Sequence, residues 1–205
     1  MKRQHLFVVL VIAIIVVTAI NFLNVGESEE EYISRIEDVR KQRNGYMISS
    51  SSPIPKEERR AFTALKYFDV KEDYRVRAKL VEVAFKQPIF IPTTTGESKK
   101  YIPYAHAEFE LNGKPQKLLL YQDWEESNPN RLSLMFADDT SGDSTYGGGR
   151  YIDVEKSGGK TIIIDFNMAY NPFCHFNEEY SCPIPPRENL MDVPVEAGEK
   201  LYYLL

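Results

Sequence analysis

Metal and redox chemistry have little to draw on in this sequence, which holds two cysteines and three histidines among 205 residues and no Cys-x-x-Cys pair. A four-ligand metal cage would need Cys174 and Cys182 with two of His106, His175 and Asp165, yet adjacent Cys174 and His175 point apart in an extended chain. No metal ligands are assigned, and no cofactor is specified. Basic residues are in deficit too. The 25 Lys and Arg against 30 Asp and Glu leave a formal net charge of -5, which excludes broad electrostatic binding to nucleic acid. A Walker loop, a dinucleotide-binding fingerprint and internal repeats are also missing. With 43% hydrophobic composition, the chain is long enough for one well-packed domain and is not disordered.

Charge is absent altogether from Leu6 to Val25. A helix of that length, at about 1.5 Å per residue, spans the roughly 30 Å hydrocarbon core of a bilayer. Lys2 and Arg3 precede the run while Glu27, Glu29, Glu30 and Glu31 follow it, so the positive-inside rule predicts a cytoplasmic N-terminus and an extracytoplasmic body. The membrane is then a partner through this helix. A signal peptide cleaved near Val17-Thr18-Ala19 is the competing reading.

The expected organisation is an anchor over residues 1–26, an amphipathic helix and linker over 27–55, and a β-rich domain over 56–205. In ESEEEYISRIEDVRKQRN (27–44) acidic residues come early and basic ones late, and Tyr32, Ile33, Ile36 and Val39 form a helical stripe. Pro55 suits the first position of a second small helix, KEERRAFTAL. Beyond it the period changes to two. Tyr74, Val76, Ala78 and Leu80 alternate with charges, then parity switches to Val81, Val83 and Phe85, which predicts a bulge or a change of face. Ala105, Ala107, Phe109 and Leu111 lead into Asn112-Gly113 and Leu118–Tyr121 return, the pattern of a hairpin with a type I′ turn. Strands follow at 131–137, 149–155 and 160–166. The fold class expected is α+β, predominantly antiparallel β as a partly closed barrel or curled sheet, with N-terminal helices and a single transmembrane helix before them.

Chemistry-bearing residues concentrate between Asp138 and Pro186, which hold both cysteines and four of the twelve prolines. Hydroxyls at Thr140, Ser141, Ser144 and Thr145, amides of Gly147–Gly149 and the Arg150 guanidinium suit an anion cradle; a glycine-rich connection with Arg150 paired to an acidic neighbour uses the same residues. Asp165, Asn167 and Tyr170 line a pocket with Tyr146 and Arg150 in one reading, with Arg150 and Asp165 facing each other. In the other they build a structural corner ending at Asn171-Pro172. The expected ligand contacts are therefore Thr145, Tyr146, Arg150, Asp165, Asn167 and Tyr170. In an oxidising compartment Cys174 and Cys182 would close a disulfide worth about 2 to 3 kcal/mol.

Several long words stand in order along the chain: FTALKYF at 62–68, DYRVRA at 73–78, DDTSGDSTYGGGRY, DFNMAYNPFCHF, CPIPPRENL, and EAGEK at 196–200. From about Tyr32 to Lys200 the chain resembles the bacterial and archaeal family of domain of unknown function 1684. Members often have Cys-Ala-Tyr where this chain has Cys174-His175-Phe176. The resemblance implies a domain boundary and leaves the chemistry open. The function expected from the residues is an anchored β-rich module binding a small anionic ligand or cofactor. The alternatives are a hydrolase or metal-dependent enzyme using Asp165, His175 or His106, and a structural envelope protein without a ligand.

Overall fold

The computed structural model describes residues 27–156 and 158–202. The span expected over residues 6–25 lies outside the described residues. Among those described, no helix is long and apolar enough to cross a membrane, and one α-helix is present where several were expected. The fold class is corrected accordingly to predominantly β, with one α-helix and a curled antiparallel sheet among the described residues. The expected single-pass, extracytoplasmic placement has no support from the described helices.

The chain divides into two compact units, residues 1–37 and 38–205. The helix α1, Glu29–Met47, begins in the first. Its start is a capping box. The Ser28 hydroxyl accepts from the Glu31 N–H at 3.2 Å while the Glu31 carboxylate accepts from the Ser28 N–H at 2.9 Å, so each side chain satisfies the other residue's orphan backbone donor. Three glutamates in the first turn complement the helix dipole. The helix runs on past Asn44, so its last turn holds no basic residue.

In the second unit, the KEERRAFTAL segment forms turns instead of a helix, closed by the Glu58 and Arg59 amides on the Pro55 carbonyl. Seven strands follow: β1 (Arg75–Glu82), β2 (Ile89–Pro92), β3 (Ser98–Leu111), β4 (Lys114–Asp123), β5 (Arg131–Phe136), β6 (Arg150–Glu155) and β7 (Thr161–Asp165). They form one sheet in the order β6-β5-β4-β3-β1-β7, with β2 beside β1 on the same edge of β3. The β3–β4 hairpin turns at Asn112 and Gly113, both at positive φ (53° and 72°), as a type I′ turn requires. The irregularity expected in β1 is absent there. It falls in β3 between Pro103 and Ala105, where proline has no N–H for the ladder.

Strands β6 and β7 are joined by residues 156–160 alone, yet they end opposite sides of the strand order. A flat sheet would separate them by about 24 Å, beyond the roughly 20 Å that such a connection reaches. The sheet must therefore curl until its ends meet. Tyr151 on β6 and Tyr170 beyond β7 close the seam by exchanging two backbone hydrogen bonds of 2.9 Å. Inside the curl lie Val76, Ala78, Ala107, Leu120, Leu134, Ile152 and Ile164 with Phe136 and Phe166. On the opposite face Tyr101, Leu119, Tyr121 and Met135 form a second buried cluster.

Candidate functional site

Along β6 the alternation places Arg150 with Ile152 and Val154 on the core side and Tyr151 with Asp153 on the other. Arg150 is wholly buried. Its Nη2 donates to Asp138 Oδ2 and to the Val195 carbonyl, both at 2.8 Å, and its Nη1 to the Ala197 carbonyl and, at 3.3 Å, to that of Glu199. The guanidinium also lies 5.3 Å from the Phe136 ring centroid. Asp138 in turn accepts from the Thr140 hydroxyl at 2.6 Å and from the Val195 N–H at 3.0 Å, and Thr140 reaches Thr145 at 2.9 Å. The glycine-rich loop is thus sewn to a strap, residues 195–200, by a charge-assisted network that leaves no buried charge alone.

The strap carries Glu199 into position. Gly198 has φ +75°, and a Cβ there would meet the Ala169 carbonyl oxygen at 2.5 Å, so only glycine permits this approach. The Glu199 amide donates to Ala169, while the Lys200 amide donates to Lys66 and Phe68 to Gly198. FTALKYF, DFNMAYNP and EAGEK therefore meet in space. Fully buried, the Glu199 carboxylate accepts from Arg43 Nε on α1, from the Asn171 N–H at 2.8 Å and from the Tyr67 hydroxyl at 3.5 Å. Burial pushes this carboxyl up in pKa, against the opposing pull of Arg43 and the Asn171 amide. Arg43 Nη2 donates to the Asn171 carbonyl at 3.0 Å, and its guanidinium lies 4.6 Å from the Tyr170 ring centroid.

Two clefts open on the sheet face away from the main core. The larger, about 480 Å³, is lined by Arg40, Arg43, Tyr46, Tyr67 and Phe173 among others. The smaller, about 390 Å³, has Lys99, Tyr101, Asp123, Tyr151 and Tyr180 among its walls. Arg131, Asp153, Tyr170 and Phe173 belong to both. Three of these four are tied together. Arg131 on β5 donates from Nη2 to Asp153 Oδ2 at 2.6 Å and from Nη1 to Glu126 at 3.2 Å, while the Tyr170 hydroxyl donates to Asp153 Oδ1 at 3.2 Å. The Asp153 bond raises the pKa of Arg131, and burial followed by Asp153 raises that of the Tyr170 phenol, so one stays charged and the other protonated at neutral pH.

Of the six expected ligand contacts, Asn167 and Tyr170 line the larger cleft, and Tyr170 lines the smaller as well. The other four sit elsewhere. Thr145 and Arg150 are buried in the loop–strap network. Tyr146 packs on His175, with ring centroids 4.6 Å apart, and its hydroxyl lies 3.9 Å from Cys174 Sγ. Asp165 accepts from the Asn167 N–H at 3.1 Å and caps the turn 166–168, opposite Arg75 in the sheet register. It does not face Arg150, whose carboxylate partner is Asp138. Asn167 ties that turn to Lys71 through bonds of 2.8 and 3.1 Å. Arg43, Arg131, Asp153, Tyr67 and Glu199 were not foreseen as site residues.

The expected disulfide is corrected: Cys174 and Cys182 are free, buried thiols. The Cys174 N–H donates to Cys182 Sγ at 3.1 Å. Hydrogen bonding to Cys182 lowers the Cys174 thiol to about 7 against an opposing desolvation, and the same contact pushes Cys182 up. His175 Nε2 accepts from the Tyr202 N–H at 3.2 Å, and burial lowers its pKa to about 4. Neither His175 nor His106 lines either cleft. Among the described residues, no group of three or more His, Cys, Asp or Glu is placed to hold a metal ion.

A curled antiparallel sheet with paired polar and aromatic clefts on its outer face defines a compact β-rich domain. The chain belongs to the family described as "Protein of unknown function (DUF1684)", whose model matches residues 60–200. It is similar to an uncharacterized protein of Haloarcula marismortui solved by solution NMR. The two are 33% identical, with a TM-score of 0.67 over 83% of this chain and 95% of that one. No curated protein matches the chain.

Proposed function

We propose that the protein is a ligand-binding module whose larger cleft receives a small anion with a flat apolar body. The observation that carries this reading is Arg43, seated in an aromatic-walled cleft with its guanidinium over Tyr170. Three arginines of the lining, Arg40, Arg43 and Arg131, face two carboxylates, Asp153 and Glu199. Burial biases Glu199 further toward the neutral form. The cleft is therefore net positive. Arg43 Nε and Nη2 are engaged by Glu199 and Asn171, while Nη1 makes no hydrogen bond among the described residues. A rigidly held fork with a spare end suits a carboxylate or phosphate oxygen, and Tyr46, Tyr67 and Phe173 suit an aromatic or apolar body.

Calorimetric titration with benzoate, inorganic phosphate and neutral benzyl alcohol tests this. Arg43→Gln alone would leave Glu199 buried without its cation, so Arg43→Gln/Glu199→Gln is the informative variant. Benzoate is expected to bind at least about tenfold more tightly than benzyl alcohol and to lose about tenfold in the double variant. Equal binding of benzoate and benzyl alcohol, or an unchanged benzoate affinity in a folded double variant, contradicts the proposal.

A further inference from the structure

The smaller cleft differs from the larger in both charge and lining. Five aromatic side chains, Tyr101, Tyr151, Tyr170, Phe173 and Tyr180, contribute to its walls. Several are arranged edge to face: Tyr151 and Tyr170 at 6.0 Å and 74°, Phe173 and Tyr180 at 5.3 Å and 73°. Such pairs set neighbouring rings steeply to one another, so the cleft is walled by several differently oriented aromatic side chains. Three carboxylates, Asp123, Glu126 and Asp153, oppose two cations, Lys99 and Arg131. Arg131 is already held between Glu126 and Asp153, and Lys99 is solvent-exposed. The net charge of the lining is negative.

The phenols reinforce this polarity. Tyr170 donates its hydroxyl to Asp153, and Tyr151 to the Pro183 carbonyl. In these two residues the hydroxyl is committed to an acceptor, which leaves the ring as the contact for a guest. Ring faces attract cations through their quadrupole, most strongly where water is excluded. The Tyr170 ring already accepts one cation in this way, the Arg43 guanidinium at 4.6 Å.

We infer that the smaller cleft is a site for a methylated ammonium group, held by the tyrosine faces and by the surplus carboxylate at Asp123. A volume of about 390 Å³ accommodates a trimethylammonium head with part of its carrier. A metal ion fits less well, because no group of three or more His, Cys, Asp or Glu among the described residues is placed to hold one. The site shares Arg131, Asp153, Tyr170 and Phe173 with the anion cleft, so its test reads residues that line the smaller cleft alone.

The experiment is an NMR titration of the folded protein with choline and with its neutral isostere 3,3-dimethylbutan-1-ol, followed at the tyrosine ring signals. Choline is expected to shift Tyr101, Tyr151 and Tyr180, and to bind about tenfold more tightly than the alcohol. Tyr180→Ala, at a half-exposed position, and Asp123→Asn are each expected to weaken choline by about threefold or more while leaving benzoate titration of the larger cleft unchanged. Equal affinity for choline and the alcohol reduces the cleft to an apolar pocket and overturns the inference. So does the absence of tyrosine shifts at tens of millimolar choline, or shifts that persist undiminished in both variants.

Discussion

Arg150 and Asp138 form an ion pair excluded from solvent, Nη2 to Oδ2 at 2.8 Å, and through it the glycine loop holds the strap that presents Glu199. Removing one member of such a pair leaves the other buried and uncompensated. Arg150→Ala is expected to destabilise the fold by about 3 to 5 kcal/mol. Chemical denaturation of the purified variant measures the loss. A change under about 1 kcal/mol would mean that the network does not carry the strap.

Gly198→Ala tests the strap from its other side. The new Cβ would meet the Ala169 carbonyl oxygen at 2.5 Å and the Phe166 carbonyl oxygen at 2.8 Å at a positive φ. The expected cost exceeds about 1 kcal/mol, and weaker benzoate binding should accompany it, because Glu199 and Arg43 lose their register. The two readouts together are a melting curve and a titration.

How legible all this was in the sequence varies by element. The β3–β4 hairpin followed from Asn112-Gly113 and strict alternation on both sides, since a two-residue period and a type I′ dipeptide are local properties. The misplaced helix at KEERRAFTAL had helix-forming composition but no lasting hydrogen-bond ladder. Arg150 was expected at a ligand, although its parity with Ile152 and Val154 already pointed inward; its chemical type outweighed its register. Arg43 and Glu199 lie 156 positions apart, and no periodicity announces such a meeting. The cysteines, eight positions apart, are near one another as expected. Proximity alone does not make the bond.

Alkylation of the denatured, unreduced protein should add two carbamidomethyl groups by mass, one each at Cys174 and Cys182. In the native state modification should be slow despite the lowered Cys174 pKa, because both residues are buried.

His175 gives the fold an acid-sensitive limb. Its Nε2 accepts a hydrogen bond and its folded pKa, about 4, lies below the ordinary 6.5 because burial penalises the imidazolium. Between those values the unfolded chain binds a proton that the folded one does not, so this stabilisation is full above pH 6.5 and fades as pH falls towards 4. His175→Phe should flatten that part of the stability profile, by about 2 kcal/mol after discounting the partial exposure of the ring. Denaturant midpoints at pH 4.5, 5.5 and 7 supply the comparison, and parallel profiles for the two proteins would contradict the assignment.

In the proposed function the larger cleft, walled by Arg43, Tyr46 and Tyr67, and not the glycine-rich loop, receives the anionic ligand. The decisive measurement is of intermolecular nuclear Overhauser effects between bound benzoate and the protein. Contacts are expected from the benzoate ring to Tyr46, Tyr67 and Tyr170. Contacts to Tyr146 and the loop instead, or none at saturating benzoate, would contradict it.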